Sequence, residues 1–378
     1  MGGSGERRFL IVAGEASGDA HAARVLTALG SLGSCRARGV TGPALLAAGA
    51  GRVAPMEDLA VLGFSGVVVR LPRIWSAYRR LLAEVRTFRP HAALLVDSPG
   101  FNFRLGPALR RLGVPVFYYI APQVWAWHPE RAAQMARWVE RLAVIFPFEE
   151  ALFRGAGVNA RFVGHPLLEG LEPEMDAAGF RAEIGAATGA PILGLLPGSR
   201  PQELRAHAPV MAGAARRLRD ARPGLEVVLA LAPGLEREAR RLRSVLEGVR
   251  LVTGRTRSVQ AHATACAVAS GTASLETALF GTPEVIVYRT GWLNYEIARR
   301  VVTLPRIGLP NIVVGGEVAP ELLQGDLTVA RLAATLAPWL DDAGTRAGAR
   351  GRLAEVRAHL GGPGASRRAA EWLWEMVA

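Results

Sequence analysis

Short, continuously apolar runs alternate with helix-patterned stretches along the whole chain, and this alternation constrains the fold more than any other feature. The first half carries "FLIVA", "AALLV", "VPVFYYI", "RLAVIF" and "ARFVG". Between them lie stretches such as "AYRRLLAEVRTF", "FRLGPALRRLG" and "RAAQMARWVE". The runs lack the polar alternation of a strand with one wet face, so helices must cover both faces of a parallel sheet. From about 169 to 190 no strand-like run occurs, and this stretch reads as a connector. A second series follows: "ILGLL", "EVVLAL", "VRLVT", "CAVAS" and "EVIVY". The expected architecture is α/β, two Rossmann-like halves joined near 170. The last stretch, "ASRRAAEWLWEMVA", is an amphipathic helix that needs an apolar surface to cover.

The bulk properties agree with a globular chain. Its 378 residues suit two to three domains, and a composition that is 50% hydrophobic and 21% charged supports substantial cores. The formal net charge is +12, and every basic residue is arginine, a bias that genome composition explains. The excess still favours phosphate, nucleic acid or anionic lipid. Cys35 and Cys266 stand far apart, with no metal-ligand spacing and no disulfide framework, so a reducing, cytoplasmic compartment is expected. The N-terminal apolar run, residues 9 to 13, is too short for a signal peptide, and no run reaches the roughly 18 residues of a membrane span. Any membrane contact is expected at the surface.

In open parallel sheets, ligands bind beyond the carboxyl ends of the strands. The turn after the first strand, "GEASGD", lacks the third glycine of a dinucleotide fingerprint and the Gly-Lys-Ser/Thr of a P-loop. It carries Glu15 and Asp19 instead. "AALLVDSPGFN" places Asp97 at a strand end, followed by Ser98, Pro99 and Asn102. Acids repel phosphate but accept hydrogen bonds from hydroxyls, and one can act as a base. By itself Asp97 reads equally as a turn residue ahead of Pro99.

The second half has a different chemistry. "ILGLLPGSRPQEL" ends a strand in Ser199 and Arg200, where glycine allows close backbone approach and arginine offers a fork for phosphate. "CAVASGTASLETALFG" runs a strand into Ser270, Gly271 and Thr272 and then a helix, an anion site by its free amides and dipole. Glu276, one turn further on, suits a pair of vicinal hydroxyls, although alone it reads as a helix-surface residue. Together the two motifs favour a nucleoside diphosphate. No Asp-x-Asp occurs, and His128 and His165 are single, so no metal is expected. Residues 61 to 86 interleave Val68, Leu71 and Trp75 with Arg70 and Arg73, a pattern shared by an amphipathic core helix and a bilayer-surface segment.

These motifs together resemble the lipid-A-disaccharide synthase family: "AGEASGD", "VDSPGFN", "APQVWAW", "FVGHPL", "LPGSR", "ASGTASLE", "LPN" and "ELLQ" occur in that family's order, from residue 13 to about 324. The resemblance implies a glycosyltransferase-B fold: two Rossmann-like domains facing a central cleft, with the C-terminal helix crossing back to the first. The boundaries expected are 1–170, 171–355 and 356–378. It also implies an inverting transfer of 2,3-diacylglucosamine from UDP to the 6-hydroxyl of 2,3-diacylglucosamine 1-phosphate (lipid X), with no cofactor, at the cytoplasmic face of an anionic inner membrane. Asp97 would be the base, with Glu15 as a second catalytic acid. Ser17, Asp19 and Asn102 would line the acceptor side. Arg200 with Ser199, Gly271 and Thr272 would meet the diphosphate, Glu276 the ribose, and Asn311 and Gln324 the donor. The chain departs from the pattern at Gly100, where the family often has a second acid, and at His128, where arginine often stands. A homodimer is one expected form of association. A UDP-sugar epimerase of the same fold is the competing enzyme. A basic nucleic-acid-binding protein is disfavoured by the crevice acids and by the lack of a recognised module, so no nucleic-acid partner is expected.

Overall fold

The computed structural model describes residues 5–59, 64–124, 130–291 and 306–378, with the side chains of 64–70 left aside. The chain divides into two compact units. One ends at Glu169 and regains Gly362–Ala378; the other is Gly170–Gly361.

The first unit is built on β1 (Arg7–Ala13), β2 (Cys35–Thr41), β3 (Gly51–Pro55), β4 (Ala92–Val96), β5 (Val116–Tyr119), β6 (Arg141–Val144) and β7 (Ala160–Phe162). They form one parallel seven-stranded sheet in the order β3-β2-β1-β4-β5-β6-β7. The apolar runs fold as strands because both of their faces are covered: all five residues of β4 are buried. On one face Leu10, Val12 and Leu95 pack with Leu81, Leu105 and Tyr118. The other face is covered by the helices Ala16–Leu32 and Ala365–Met376. Trp374 lies 6.4 Å from Phe9 and Trp372 meets Phe117 edge-on at 5.6 Å, while the Arg141 guanidinium donates to the Trp372 carbonyl at 2.6 Å. The tryptophans of the last helix thus find their apolar surface on the first unit. Residues 356–360, expected to belong to the returning segment, instead end the helix Ala343–Leu360 of the second unit, because Leu353, Val356 and Leu360 are buried there.

The second unit carries β8 (Ile192–Leu196), β9 (Glu226–Leu231), β10 (Arg250–Thr253), β11 (Ala265–Ala269), β12 (Glu284–Tyr288) and β13 (Glu321–Leu323). Its six parallel strands run β10-β9-β8-β11-β12-β13. In each sheet the strand order reverses once, at β1/β4 and at β8/β11. Neighbouring crossovers leave in opposite directions there and open a crevice at the carboxyl ends.

Candidate functional site

Both groups of expected residues fall at these reversal points. In the first unit Glu15 follows β1 and Asp97 follows β4. Asp97 and Ser98 are consecutive non-glycine residues in the left-handed region, at φ 46° and 47°. Each costs roughly 1 kcal/mol or more. The surroundings hold the turn: Asn102 Nδ2 donates to the Asp97 carbonyl at 2.6 Å, and the Tyr118 hydroxyl donates to the same oxygen at 2.5 Å. The Asp97 amide donates to Tyr119 O at 3.1 Å. Gly14 fits because Ser98 uses the space a side chain would need; a Cβ there would stand 2.3 Å from Ser98 Oγ.

This turn presents the Asp97 carboxyl in a partly desolvated place. Burial chiefly, and then the charge of Glu15, push it up to about 6, while the Ser98 amide acts in the opposite sense. A carboxylate poised there is a far better base near neutrality than an ordinary aspartate. Glu15 and Ser17 are exposed beside it. Gly100 is exposed with open space around it. His128 lies outside the described residues.

Two residues expected to contact ligand are engaged within the fold. Asp19 is 2% exposed, and its carboxylate accepts the amides of Gly42 at 2.7 Å, Ala44 at 2.8 Å and Leu45 at 3.4 Å. It ties the helix Ala16–Leu32 to the turn after β2. Asn102 is fully buried with its amide on the Asp97 turn, so it positions the acid instead of lining the surface.

In the second unit the turn after β8 runs through Gly198, at φ 110°, into the helix Pro201–Asp220. The amides of Ser199 and Arg200 donate to Glu203 Oε2 at 2.9 and 3.1 Å, and Arg200 Nη1 meets Glu203 Oε1 at 3.1 Å. Gly198 lets this carboxylate close over the turn, since a Cβ would stand 2.3 Å from Glu203 Oε2. The Arg200 side chain is 78% exposed and open to an anion. Across the reversal point, Gly271 precedes the helix Thr272–Leu279, and Thr272 is exposed at its start. Glu276 faces Arg257 at 3.4 Å and Gln260 at 3.5 Å. Burial raises its carboxyl, with Arg257 opposing. A carboxylate has about four acceptor sites, so these two contacts leave lone pairs for vicinal hydroxyls.

Gln324 sits after β13 at φ 49°, with Oε1 accepting the Thr290 amide at 3.4 Å. Its Nε2 is buried without a partner among the described residues. Asn311 differs from expectation. It is fully buried, its Nδ2 donates to Ala319 O and Glu321 Oε1 at 2.7 Å each, and its Oδ1 accepts Val318 and Ala319 amides at 2.8 and 3.0 Å. With its amide saturated it shapes the loop after the helix Leu309–Val314.

On the helix Phe64–Phe88, Leu71 is 46% and Trp75 60% exposed, one turn apart, and Arg73, two residues from each, is exposed on the opposite side of the helix. Trp75 stacks on Tyr78 at 5.3 Å. Val68 and Arg70 belong to the same helix, but their side chains lie outside the described residues. No group of three or more histidine, cysteine or acidic residues able to hold a metal occurs among the described residues. None of the described helices is long and apolar enough to cross a membrane.

A family model described as Lipid-A-disaccharide synthetase matches residues 9–368. The chain belongs to this glycosyltransferase family. The lipid-A-disaccharide synthase of Anaeromyxobacter sp. (strain K) is 45% identical over 369 residues, covering 96% of each chain. Among solved structures, the calicheamicin glycosyltransferase CalG4 aligns with TM-score 0.58 at 18% identity, over 98% of both chains. The UDP-GlcNAc 2-epimerase from Neisseria meningitidis, solved with UDP-GlcNAc bound, aligns with TM-score 0.67 at 12% identity, over 97% of this chain and 100% of that one. At such identities these likenesses speak for the fold, the two-domain glycosyltransferase-B architecture. They do not separate transferase from epimerase; the family does.

Sequence reasoning missed Tyr118 and Glu203. Tyr118 lies within an apolar run and reads as core. Glu203 carried a signal, since it stands three residues after Arg200, where a first-turn carboxylate accepts the free backbone amides.

Proposed function

We propose that the chain transfers 2,3-diacylglucosamine from UDP to the 6-hydroxyl of lipid X, with inversion at the anomeric carbon. In one displacement the acceptor oxygen bonds to that carbon, the bond from carbon to the UDP oxygen breaks, and the hydroxyl proton passes to the Asp97 carboxylate. Glu15 and Ser17 accept and orient acceptor hydroxyls. Arg200, Ser199 and the backbone about Gly271 and Thr272 take the charge that grows on the diphosphate. Glu276 accepts the ribose hydroxyls, and Gln324 Nε2 gains an acceptor from the donor. Leu71 and Trp75 meet the cytoplasmic face of the inner membrane, from which both acylated substrates come.

The observation that carries this reading is the Asp97 turn. Two left-handed residues, held by Asn102 and Tyr118, present a carboxyl beside Glu15 at the strand-order reversal. Such strain is retained where it serves chemistry. The test incubates the protein with UDP-2,3-diacylglucosamine, with and without lipid X. UDP release that requires lipid X, with a β-configured disaccharide by NMR, supports the reading. Release or epimerisation without acceptor, or an α-linked product, overturns it.

A further inference from the structure

His207, a fully buried histidine on the helix Pro201–Asp220, joins the loops of the second unit's site. Its Nδ1 lies 2.8 Å from the Pro197 carbonyl, and its Nε2 accepts the Arg289 amide at 2.9 Å. A carbonyl only accepts and an amide only donates, so the ring carries its hydrogen on Nδ1 and is neutral. Burial, the largest influence on it, also holds it below the ordinary histidine value. Arg289 continues the chain of contacts. Its Nε and Nη2 donate to the Gln324 carbonyl at 3.3 and 3.1 Å, and Nη2 also donates to the Leu327 carbonyl. The neighbouring Thr290 amide holds Gln324 Oε1 at 3.4 Å.

Pro197, His207, Arg289 and Gln324 therefore link the turns that follow β8, β12 and β13. One end of the link is the arginine-bearing turn, whose Arg200 is open to anions. The other is a strained glutamine whose buried Nε2 has no acceptor among the described residues. A buried donor without an acceptor costs about 1–3 kcal/mol, a cost that an arriving oxygen removes. Any fully buried histidine needs a partner at each ring nitrogen; here the partners are backbone groups of two different turns of the site. This one fixes the spacing between two groups that each await a ligand.

We propose that His207 and Arg289 are positioning residues for the donor: they set the turn 197–200 and the Gln324 side chain at the separation that a nucleoside diphosphate sugar spans. The proposal rests on the reading of that turn as the UDP site. Preorganisation of this kind acts on affinity, because a binding site already in place has less ordering to do.

The test titrates UDP into the full-length protein by calorimetry and measures donor KM and kcat with acylated substrates. His207→Phe keeps an aromatic ring and removes both hydrogen bonds. His207→Gln restores one donor and one acceptor. Arg289→Lys keeps the backbone amide bond to His207 and removes the fork over the Gln324 and Leu327 carbonyls. We expect His207→Phe and Arg289→Lys to weaken UDP about 10-fold, the equivalent of one good hydrogen bond, with the change falling on donor KM more than on kcat. His207→Gln recovers most of the lost affinity. Wild-type UDP affinity in folded His207→Phe, or in Arg289→Lys should the former not fold, overturns the proposal. A loss confined to melting temperature overturns it as well. Failure of the wild-type protein to take up UDP overturns the UDP reading itself, and the proposal with it.

Discussion

The Tyr118 hydroxyl donates to the main-chain carbonyl of Asp97 at 2.5 Å, from inside the core of the first unit. Tyr118 is fully buried on the strand beside β4, so its ring cannot move without disturbing the sheet. The bond holds the backbone of a residue whose conformation is unfavourable by itself. Tyr118→Phe keeps the ring and removes this restraint, leaving Asn102 as the remaining side-chain donor to that carbonyl. We expect kcat to fall roughly 10-fold, the cost of one hydrogen bond expressed in positioning, with UDP affinity unchanged. Full activity in this variant would show that Asn102 suffices.

Asp97→Asn preserves shape and removes the proposed base. Its kcat should fall about 100- to 10,000-fold, the range of general base catalysis, while UDP still binds. In the wild-type protein kcat/KM should fall as pH drops through about 6, where the Asp97 carboxyl takes up its proton. Stability should move the other way. The folded value lies above the unfolded one, so between about 4 and 6 the folded chain holds the extra proton and stability declines as pH rises. Asp97→Asn should therefore raise the melting temperature at pH 7.5 and change it little at pH 4. Equal shifts at both values would mean that the carboxyl is not strained by its charge.

Glu15→Gln tests the coupling between the two acids. The Glu15 charge helps to raise Asp97, so its removal should move the acid limb of the pH profile to lower pH. The limb should stay above an ordinary aspartate, because burial is the larger cause. The acceptor KM should rise. A collapse of kcat to the level of background, with Asp97→Asn fully active, would transfer the base role to Glu15.

The sequence showed where the strands end more clearly than what happens there. β4, β8, β9 and β12 coincide with apolar runs because helices bury both of their faces. β2, "CRARGVT", escaped notice since arginines interrupt its apolar character, and β3 and β13 are short edge strands. Asp97 and Arg200 were legible by address, at the carboxyl end of a strand. The internal bonds of Asp19 and Asn311 were not legible, because a motif shows a polar residue at the crevice but not which distant group claims it. Asp19 is taken by the amide of Gly42, 23 residues later. His207 gave no signal, as a single histidine on an apolar helix face looks like any core residue.

Arg200→Ala separates a binding role from a structural one. The side chain is 78% exposed and pairs with Glu203 on the same helix end. Exposed pairs of this kind contribute little to stability, so the melting temperature should hold. If Arg200 stabilises the departing diphosphate, kcat/KM should drop by roughly two to three orders of magnitude. Near-normal turnover would assign the anion to the backbone about Gly271 and Thr272 instead.

Leu71 and Trp75 test the proposed contact with a membrane. They lie one helical turn apart, 46% and 60% exposed, with exposed Arg79 one turn beyond Trp75 on the same face, on a chain of net charge +12. Apolar insertion and arginine attraction to anionic headgroups act together on such a face. Stacking on Tyr78 restricts the Trp75 ring, which reduces the ordering needed at an interface. Since neither side chain belongs to the buried core cluster, changing both to serine removes little from the core. Full burial of one such side chain contributes about 1.5–3 kcal/mol, so partial insertion of two corresponds to a loss of about 10- to 100-fold in partitioning. The measurement is co-sedimentation of wild-type and doubly substituted protein with phosphatidylglycerol vesicles, at low and high salt. Binding should weaken in the variant at both salt levels, and salt alone should weaken the wild type through its arginines. UDP affinity should not change. If the variant sediments with vesicles as the wild type does, the helix Phe64–Phe88 does not meet the bilayer through this face, and the exposed pair must serve another contact.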